Sequence, residues 1–367
     1  MKYFPIIIFI LLSQLACDRY SKDKIVESNG LAEGDEMLNY LNDLLKDDPN
    51  NPKILFKRAQ VYFDHSDTRR SLIDVQKALE INPTDPDHYL LLGRIYDLRN
   101  RPEDCLAAAL QAEKRGLHNY ELYRILAVNY LKLNDAENAK NAIERLLEFN
   151  RNGENLSLQG DIFLQLKDTV GAIKSYEKAI AQKHLISRPF RELYQIYLAK
   201  NEIEKAESYL DQYLAKNNDD SDFLILKASL KARAKNYDSA LVYYNKANVI
   251  DSEEKNLLVD YGNLFYSLSD FDSALLIANK VTGLDSQYVE ANLLAARSLD
   301  KLRNYQESKK IYESILEYDS TVHIAARELD ILNRKVAYLW RLQQQEKAFD
   351  SIRNSPPPAV ERKEIEN

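Results

Sequence analysis

The side chains of this 367-residue chain with the greatest capacity for chemistry are its two cysteines and five histidines. A thiolate is a nucleophile, and imidazoles spaced three or four residues apart on a helix can share a metal ion. No two of the histidines have that spacing, so we predict no metal site. We expect each of them at the surface or at a helix end, and they are His65, His88, His118, His184 and His323.

Other signatures of catalysis are missing from the sequence. No pair of glycines frames a Lys-Ser or Lys-Thr, as a phosphate-binding loop requires, and there is no Gly-x-Ser-x-Gly nucleophile elbow. Nothing selects one catalytic pair from the 57 aspartates and glutamates. We therefore expect a protein that is not an enzyme and needs no small-molecule cofactor.

The charge of the chain excludes two further classes of partner. The formal net charge is -7, and both signs are interspersed without a basic stripe for a phosphate backbone. Nucleic acid is therefore not an expected partner. A negative balance also disfavours adhesion to anionic lipid headgroups, so contact with a membrane requires a specific device.

Cys17 follows a segment with the pattern of a secretory signal. Lys2 gives a positive start, residues 4–12 are almost entirely apolar, and the small residue Ala16 comes immediately before the cysteine. The apolar run is too short to span a bilayer as a helix. We predict that residues 1–16 are a signal peptide that is removed after export.

The Ala16-Cys17 pair resembles the lipobox of bacterial lipoproteins, although Gln14 stands where that family prefers leucine. The resemblance implies that Cys17 is acylated, becomes the first residue and anchors the protein in a membrane, with residues 17–33 as a flexible tether. The alternative is plain secretion, which leaves Cys17 as an ordinary thiol. We expect a location in the bacterial cell envelope, facing the periplasm or at the cell surface. Asp18 resembles an inner-membrane retention signal, but the choice between inner and outer membrane stays open.

The rest of the chain has a composition typical of helices and an internal repeat. With 9 glycines and 10 prolines the chain is poor in turn residues, which favours an all-α fold. One position, which we call the reference position, recurs every 33 or 34 residues and is small in seven of its eight occurrences. Its occupants are Ala59, Gly93, Ala127, Gly160, Tyr194, Ala228, Gly262 and Ala296.

A second position, twelve residues after the reference position, is small in every repeat and is called the crossing position here. Small side chains let two antiparallel helices approach closely, so the pattern predicts helix pairs that cross at this point. Cys105 occupies the crossing position of the second repeat, which predicts a buried core thiol. The occupants are Ser71, Cys105, Ala139, Ala172, Ala206, Ala240, Ala274 and Ser308.

This pattern resembles the tetratricopeptide repeat, with Leu92-Gly93-x-x-Tyr96 in the second repeat and the closing Pro83 of the first. The resemblance implies a right-handed superhelical solenoid of antiparallel helix pairs. We predict a degenerate leading half-repeat at 34–51, eight repeats at 52–322, a C-terminal capping helix at 323–354 and a disordered tail at 355–367.

Two residues depart from the repeat pattern. Tyr194 occupies a reference position that is otherwise small, and Lys231 replaces an aromatic or apolar residue three positions after Ala228. We expect the fifth and sixth repeats to pack less regularly than the others.

By resemblance to this family, the first helix of each repeat lines a concave face that binds peptides or helices of partner proteins. Arginines on this face are the strongest candidate anchors, although pairing with neighbouring acids is an equally good interpretation of them. The residues predicted to bind partners are Phe56, Gln60, Arg94, Asp97, Arg124, Asp161, Arg191, Gln195, Asn263, Tyr266 and Arg297.

The sequence thus predicts a lipid-anchored scaffold that binds other envelope proteins, such as those of secretion, outer-membrane assembly or cell-wall machinery. The paired Lys and Asn that hold C-terminal carboxylates in one subclass are absent, so docking of such tails is not expected. The alternative is a lipoprotein that captures glycans and nutrients at the outer membrane. That class carries its sugar site on long insertions, and the steps of 33 or 34 residues leave no room for one.

Overall fold

The computed structural model describes residues 35–182 and 184–353, and this part of the chain contains eighteen α-helices and no β-strand. The prediction of an all-α array of antiparallel helix pairs is confirmed. The predicted signal peptide, tether and tail, with Cys17, lie outside the described residues.

The helices follow one another through short turns. They are α1 (35–47), α2 (Pro52–Asp64), α3 (Thr68–Ile81), α4 (Pro86–Leu98), α5 (Pro102–Lys114), α6 (Tyr120–Lys132), α7 (Ala136–Phe149), α8 (Gly153–Gln165), α9 (Thr169–Ile180), α10 (Ser187–Ala199), α11 (Ile203–Leu214), α12 (Ser221–Arg233), α13 (Tyr237–Ile250), α14 (Lys255–Ser267), α15 (Phe271–Leu284), α16 (Val289–Lys301), α17 (Tyr305–Tyr318) and α18 (His323–Arg353).

The chain divides into two compact units, residues 1–193 and 194–367, and the division falls within α10. In the first unit α2 packs on α3, α4 on α5, α6 on α7 and α8 on α9; in the second, α12 packs on α13, α14 on α15 and α16 on α17. Tyr194, the large residue at a reference position, is buried at the start of the second unit. The less regular packing expected of the fifth and sixth repeats stays a prediction.

The crossing position has the packing that its small residues predict. Its eight occupants, five alanines, two serines and Cys105, are all 0% exposed. Ser71 and Ser308 donate hydrogen bonds of 2.7 and 2.8 Å to the carbonyl oxygens of Ala59 and Ala296, the reference residues of their own repeats. Burial raises the pKa of the Cys105 thiol to about 12, so this side chain is a neutral core residue.

The turn between the two helices of each repeat has a conserved geometry along the chain. The residue seven positions after the reference position has φ between 52° and 65° in all eight repeats, in the left-handed region. The next residue is the N-cap of the second helix, and in five repeats its Asp or Asn side chain accepts a hydrogen bond from the backbone N–H three residues later. These turns end one helix and start the next at a fixed place in the register.

An ion-pair cluster joins α11 and α12 where the apolar pattern is broken. The Nζ atom of Lys227, a side chain with 2% exposure, lies 2.5 Å from Glu207 and 2.6 Å from Asp211. Lys231 lies 2.5 Å from the same glutamate, and the two lysines lower the pKa of Glu207 against the opposing effect of its burial. The positive charge of Lys231, which replaces an apolar residue, is therefore balanced by Glu207 of the preceding helix.

The last helix packs by its first turns and leaves the rest exposed. Ala325 and Leu332 are buried against α16 and α17 in a cluster with Tyr312 and Ile315. Trp340 is 61% exposed. The first turns of α18 thus cover the apolar surface of the eighth repeat.

His88 lies in the first turn of α4, at a helix end as expected, but it is not exposed. Its side chain lies in the core with 1% exposure, and its ring centroid is 4.5 Å from that of Phe56 on α2. Burial lowers the pKa of His88 below its ordinary value, while the charge of Asp85 acts in the opposite direction. The isolated position of this histidine in the sequence gave no sign that α2 would cover it.

We expect Gly160→Ala to lower the free energy of unfolding by about 1–3 kcal/mol, because a Cβ there would overpack the core. That atom would lie 2.6 Å from Cδ1 and 2.7 Å from Cζ of Tyr176. Gly93 occupies the same reference position in another repeat, and its Cβ would have its nearest neighbour, the Cys105 carbonyl oxygen, at 3.5 Å. Gly93→Ala should therefore be neutral or stabilising by up to about 1 kcal/mol through helix propensity. Urea denaturation of the three proteins measures the difference, and equal effects of the two substitutions would contradict this explanation.

We expect His88 to make stability depend on pH. Because its pKa is lowered by folding, its contribution is intact above the unfolded value of 6.5 and is lost as the pH falls through the lower folded value. His88→Gln should remove this part of the decline, while replacement of the exposed His184 by Gln serves as the control. The free energy of unfolding at about pH 7.5 and about pH 5 measures it, and an unchanged slope in His88→Gln would refute it.

Candidate functional site

The first helices of the repeats form a continuous surface within each compact unit. Besides packing on its own partner, α2 contacts α4, α4 contacts α6 and α6 contacts α8, and in the second unit α12 contacts α14 and α14 contacts α16. We call the solvent-facing side of these first helices the inner face. Nine of the eleven predicted binding residues belong to these helices. The other two, Arg191 and Gln195, are on α10.

The predicted residues differ in how accessible they are. Arg124, Gln195 and Asn263 are exposed, and the other eight are partly buried. Phe56 contacts the buried ring of His88, and Tyr266 packs edge-on against Phe271 with ring centroids 5.2 Å apart. The two aromatic side chains thus contribute to the core as well as to the surface.

Two of the predicted arginines are paired within the protein. Arg94 lies 2.8 Å from Glu121 and covers the ring of Phe63 at 4.3 Å. Arg297 makes a two-pronged contact with Glu328, with distances of 2.6 to 3.0 Å, and this hydrogen bonding raises its pKa. For these two residues the structure has the pairing with neighbouring acids that the sequence left open as an alternative.

The predicted aspartates are held by side chains from adjacent helices. Asp97 accepts hydrogen bonds from Lys132 at 2.7 Å and from Asn129 at 3.1 Å. Asp161 accepts one from the Tyr176 hydroxyl at 2.7 Å and lies 2.9 Å from Arg188. Burial and the charge of Asp161 raise the pKa of Tyr176, so this phenol remains a donor. These carboxylates position neighbouring helices and are partly neutralised.

A polar pocket opens around the predicted residue Asn263, between α12 and α14. It has a volume of about 320 Å³, and Ser229, Tyr244, Asp260 and Leu264 also line it. The Ser229 hydroxyl lies 2.9 Å from the Tyr244 hydroxyl and donates a long hydrogen bond of 3.5 Å to Asp260. Burial raises the pKa of Asp260 and raises that of Tyr244 to about 12.

Neither Tyr244 nor Asp260 is among the residues predicted to bind partners. The Tyr244 side chain is 2% exposed, so its ring belongs to the core, while its hydroxyl contacts Ser229 at the pocket. The signal that could have found both residues is a recurrence over two repeats, since tyrosines stand at 176, 244 and 312 and acidic residues at 192, 260 and 328.

In residues 35–182 and 184–353 no group of three or more His, Cys, Asp or Glu side chains could hold a metal ion. In the same residues, no helix combines the length and the apolar character needed to cross a bilayer.

Comparisons with known proteins agree with the helix-pair architecture. Family models of the tetratricopeptide repeat match residues 75–107, 126–184, 192–255 and 289–321, which together are more than half of the chain. A search of curated proteins gives no match.

Two solved structures have a similar fold. One is a tetratricopeptide repeat protein from Parabacteroides merdae, with a TM-score of 0.51 and 17% identity over 68% of this chain and 98% of that one. The other is the C-terminal part of a TPR repeat-containing protein from Cytophaga hutchinsonii, with a TM-score of 0.54 and 15% identity over 65% of this chain and 99% of that one. The repeat register, the helix pairs and the family models together show that the chain belongs to the tetratricopeptide repeat family.

Proposed function

We propose that this protein is a lipid-anchored scaffold of the bacterial cell envelope that binds partner proteins on the inner face of its repeats. The tetratricopeptide fold is that of a scaffold for protein interactions, and no enzyme family matches the chain. The observation that carries the proposal is the combination of this fold with the sequence of residues 1–17, an apolar signal that ends in Ala16-Cys17.

The N-terminal pattern supports the anchor by its chemistry. Acylation of Cys17 would attach hydrocarbon chains, each buried methylene of which contributes about 0.8 kcal/mol to membrane binding, so two or more chains give stable attachment. The net charge of -7 disfavours adhesion to anionic headgroups, so the proposed attachment is through the lipid on Cys17.

The inner face supports recognition of specific partners. Its exposed positions differ between repeats, with Arg124 in the third and Asn263 in the seventh. A surface of unlike groups favours a partner with a matching order of side chains over a general peptide clamp. Arg124 has no salt bridge or hydrogen bond from its side chain within the described residues, so its guanidinium is available to an acidic group of a partner.

We expect wild-type protein, isolated from its native membrane after crosslinking, to retain a defined set of partner proteins. Arg124→Glu should weaken at least one of these contacts about tenfold or more, because a favourable charge pair becomes repulsive. Arg69→Glu, a charge reversal at an exposed residue of the second helix α3, is the matched control and should leave the set intact. Quantitative mass spectrometry of the crosslinked material measures both effects, and recovery of no partner by the wild type would reject the scaffold.

The anchor has its own test in the same cells. Cys17→Ser removes the thiol that is acylated, so the protein should move from the membrane fraction to the soluble fraction and lose a mass equal to its acyl chains. Intact mass and fractionation measure this, and an unacylated wild-type Cys17 would show plain secretion instead.

A further inference from the structure

Three polar sites on the inner face recur with a period of two repeats. Each contains three residues at fixed distances after a reference position. A polar or charged residue comes one position after it, a buried tyrosine sixteen positions after it, and an acidic residue 32 positions after it. The tyrosines Tyr176, Tyr244 and Tyr312 are 0%, 2% and 3% exposed. The three sites are Asp161 with Tyr176 and Glu192, Ser229 with Tyr244 and Asp260, and Arg297 with Tyr312 and Glu328.

The last of these sites contains a guanidinium supplied by the protein itself. Arg297 binds both oxygens of Glu328, and the Tyr312 hydroxyl donates a hydrogen bond of 2.9 Å to the same carboxylate. The carboxylate thus has a cation on one side and a phenol donor on the other.

The first site also contains a guanidinium, from a different position in the repeat. Arg188, six residues before the reference position of the fifth repeat, lies 2.9 Å from Asp161. Its charge also lowers the pKa of Glu192, against the larger opposing effect of burial. Two sites built on the same register therefore each hold one arginine between their polar groups.

The middle site lacks an arginine at both of these positions. Ser229 stands at the position of Arg297, and Asn256 at the position of Arg188. Among the described residues, Asp260 has a hydrogen bond from Ser229 but no lysine or arginine within ion-pair distance. The site of this partly buried carboxylate therefore contains the phenol that the other sites have and the Ser229 hydroxyl, but no arginine paired with the acid.

The space that a guanidinium would need is open at this site. Because serine is much shorter than arginine, the volume filled by Arg297 in the last site is part of a pocket of about 320 Å³ here, within the range of about 300–1,000 Å³ of small-ligand sites. Ala232 and Leu264 add apolar walls that suit the methylenes of an arginine side chain, and Asn263 adds a further acceptor. The exposed Arg233 also lines the pocket and forms no ion pair with Asp260.

We propose that this pocket binds the guanidinium of an arginine side chain presented by a partner protein, with Asp260 as its counter-ion and Ser229, Tyr244 and Asn263 as additional polar contacts. The pocket is then a binding site whose cation comes from another chain, whereas the sites of Tyr176 and Tyr312 are filled from within. The assignment of the arginine to a partner rests on the proposed scaffold function; the preference for a guanidinium does not.

The test uses the whole chain with blocked arginine, N-acetyl-arginine amide, as the probe in a calorimetric or NMR titration. Blocked citrulline has the same shape without the charge, and blocked lysine has the charge without the planar fork. We expect saturable binding of the arginine probe alone, and a loss of about tenfold or more in affinity in Asp260→Asn. Equal binding of citrulline or lysine, no binding of arginine, or an unchanged affinity in Asp260→Asn would overturn the proposal.

A second variant separates loss of the site from loss of the fold. Ser229→Arg places in the middle site the residue that fills the last one, so it should abolish probe binding and raise the midpoint of thermal unfolding. Ser286→Arg, the matched control, adds the same side chain at an exposed residue outside the pocket and should keep the affinity. Probe binding that survives in Ser229→Arg with a native thermal transition would count against the pocket as the site.

Crosslinking from the native membrane then separates the two proposals. A partner that is lost from Asp260→Asn but retained by Ser286→Arg supports the assignment of the arginine to that partner. An unchanged set of partners in Asp260→Asn would overturn this assignment while leaving the scaffold function in place. If the probe binds in a way that depends on Asp260 but the wild type recovers no partner, the scaffold function is rejected. The guanidinium-binding site is then retained.

Discussion

The close approach of two helix backbones at the crossing position is the constraint on which the rest of this protein depends. Every occupant of that position is alanine, serine or cysteine, and all eight are 0% exposed. Small side chains bring the helix axes toward the short end of the usual range of about 8–10 Å, and a larger residue would separate them. The spacing of the first helices, and with it the inner face, follows from this contact.

The repeat and its helix pairs could be predicted from the sequence because the same packing requirement recurs at the same register in each repeat. Single buried polar residues could not, since their burial depends on what another helix supplies. His88 is covered by Phe56 of the preceding repeat, and Lys227 is buried because Glu207 and Asp211 meet its ammonium group. The repeat register identifies positions that must be small or large. It cannot identify an ion pair that occurs in a single repeat, such as that of Lys227.

The inner face illustrates the same limit for the candidate site. The helices that form it were predicted, but the partners of its charges were not. Arg94 pairs with Glu121, 27 residues later, and Arg297 with Glu328, 31 residues later, each two helices further along the chain. Pairs with these separations become visible once neighbouring repeats are compared. The unit of chemical variation on this face is thus a pair of repeats, although the unit of folding is a single helix pair.

The left-handed turn residues have a consequence for how the array opens. None of the eight is glycine, although three are asparagine, and a non-glycine residue in this conformation costs about 1–2 kcal/mol. In a solenoid whose repeats are stabilised by their neighbours, such a cost at every turn lowers the stability of each repeat by a similar amount. Local opening is then not concentrated at one hinge. Asparagine adopts this conformation more readily than serine, lysine or arginine, so the turns at Asn100, Asn134 and Asn201 have the smaller cost.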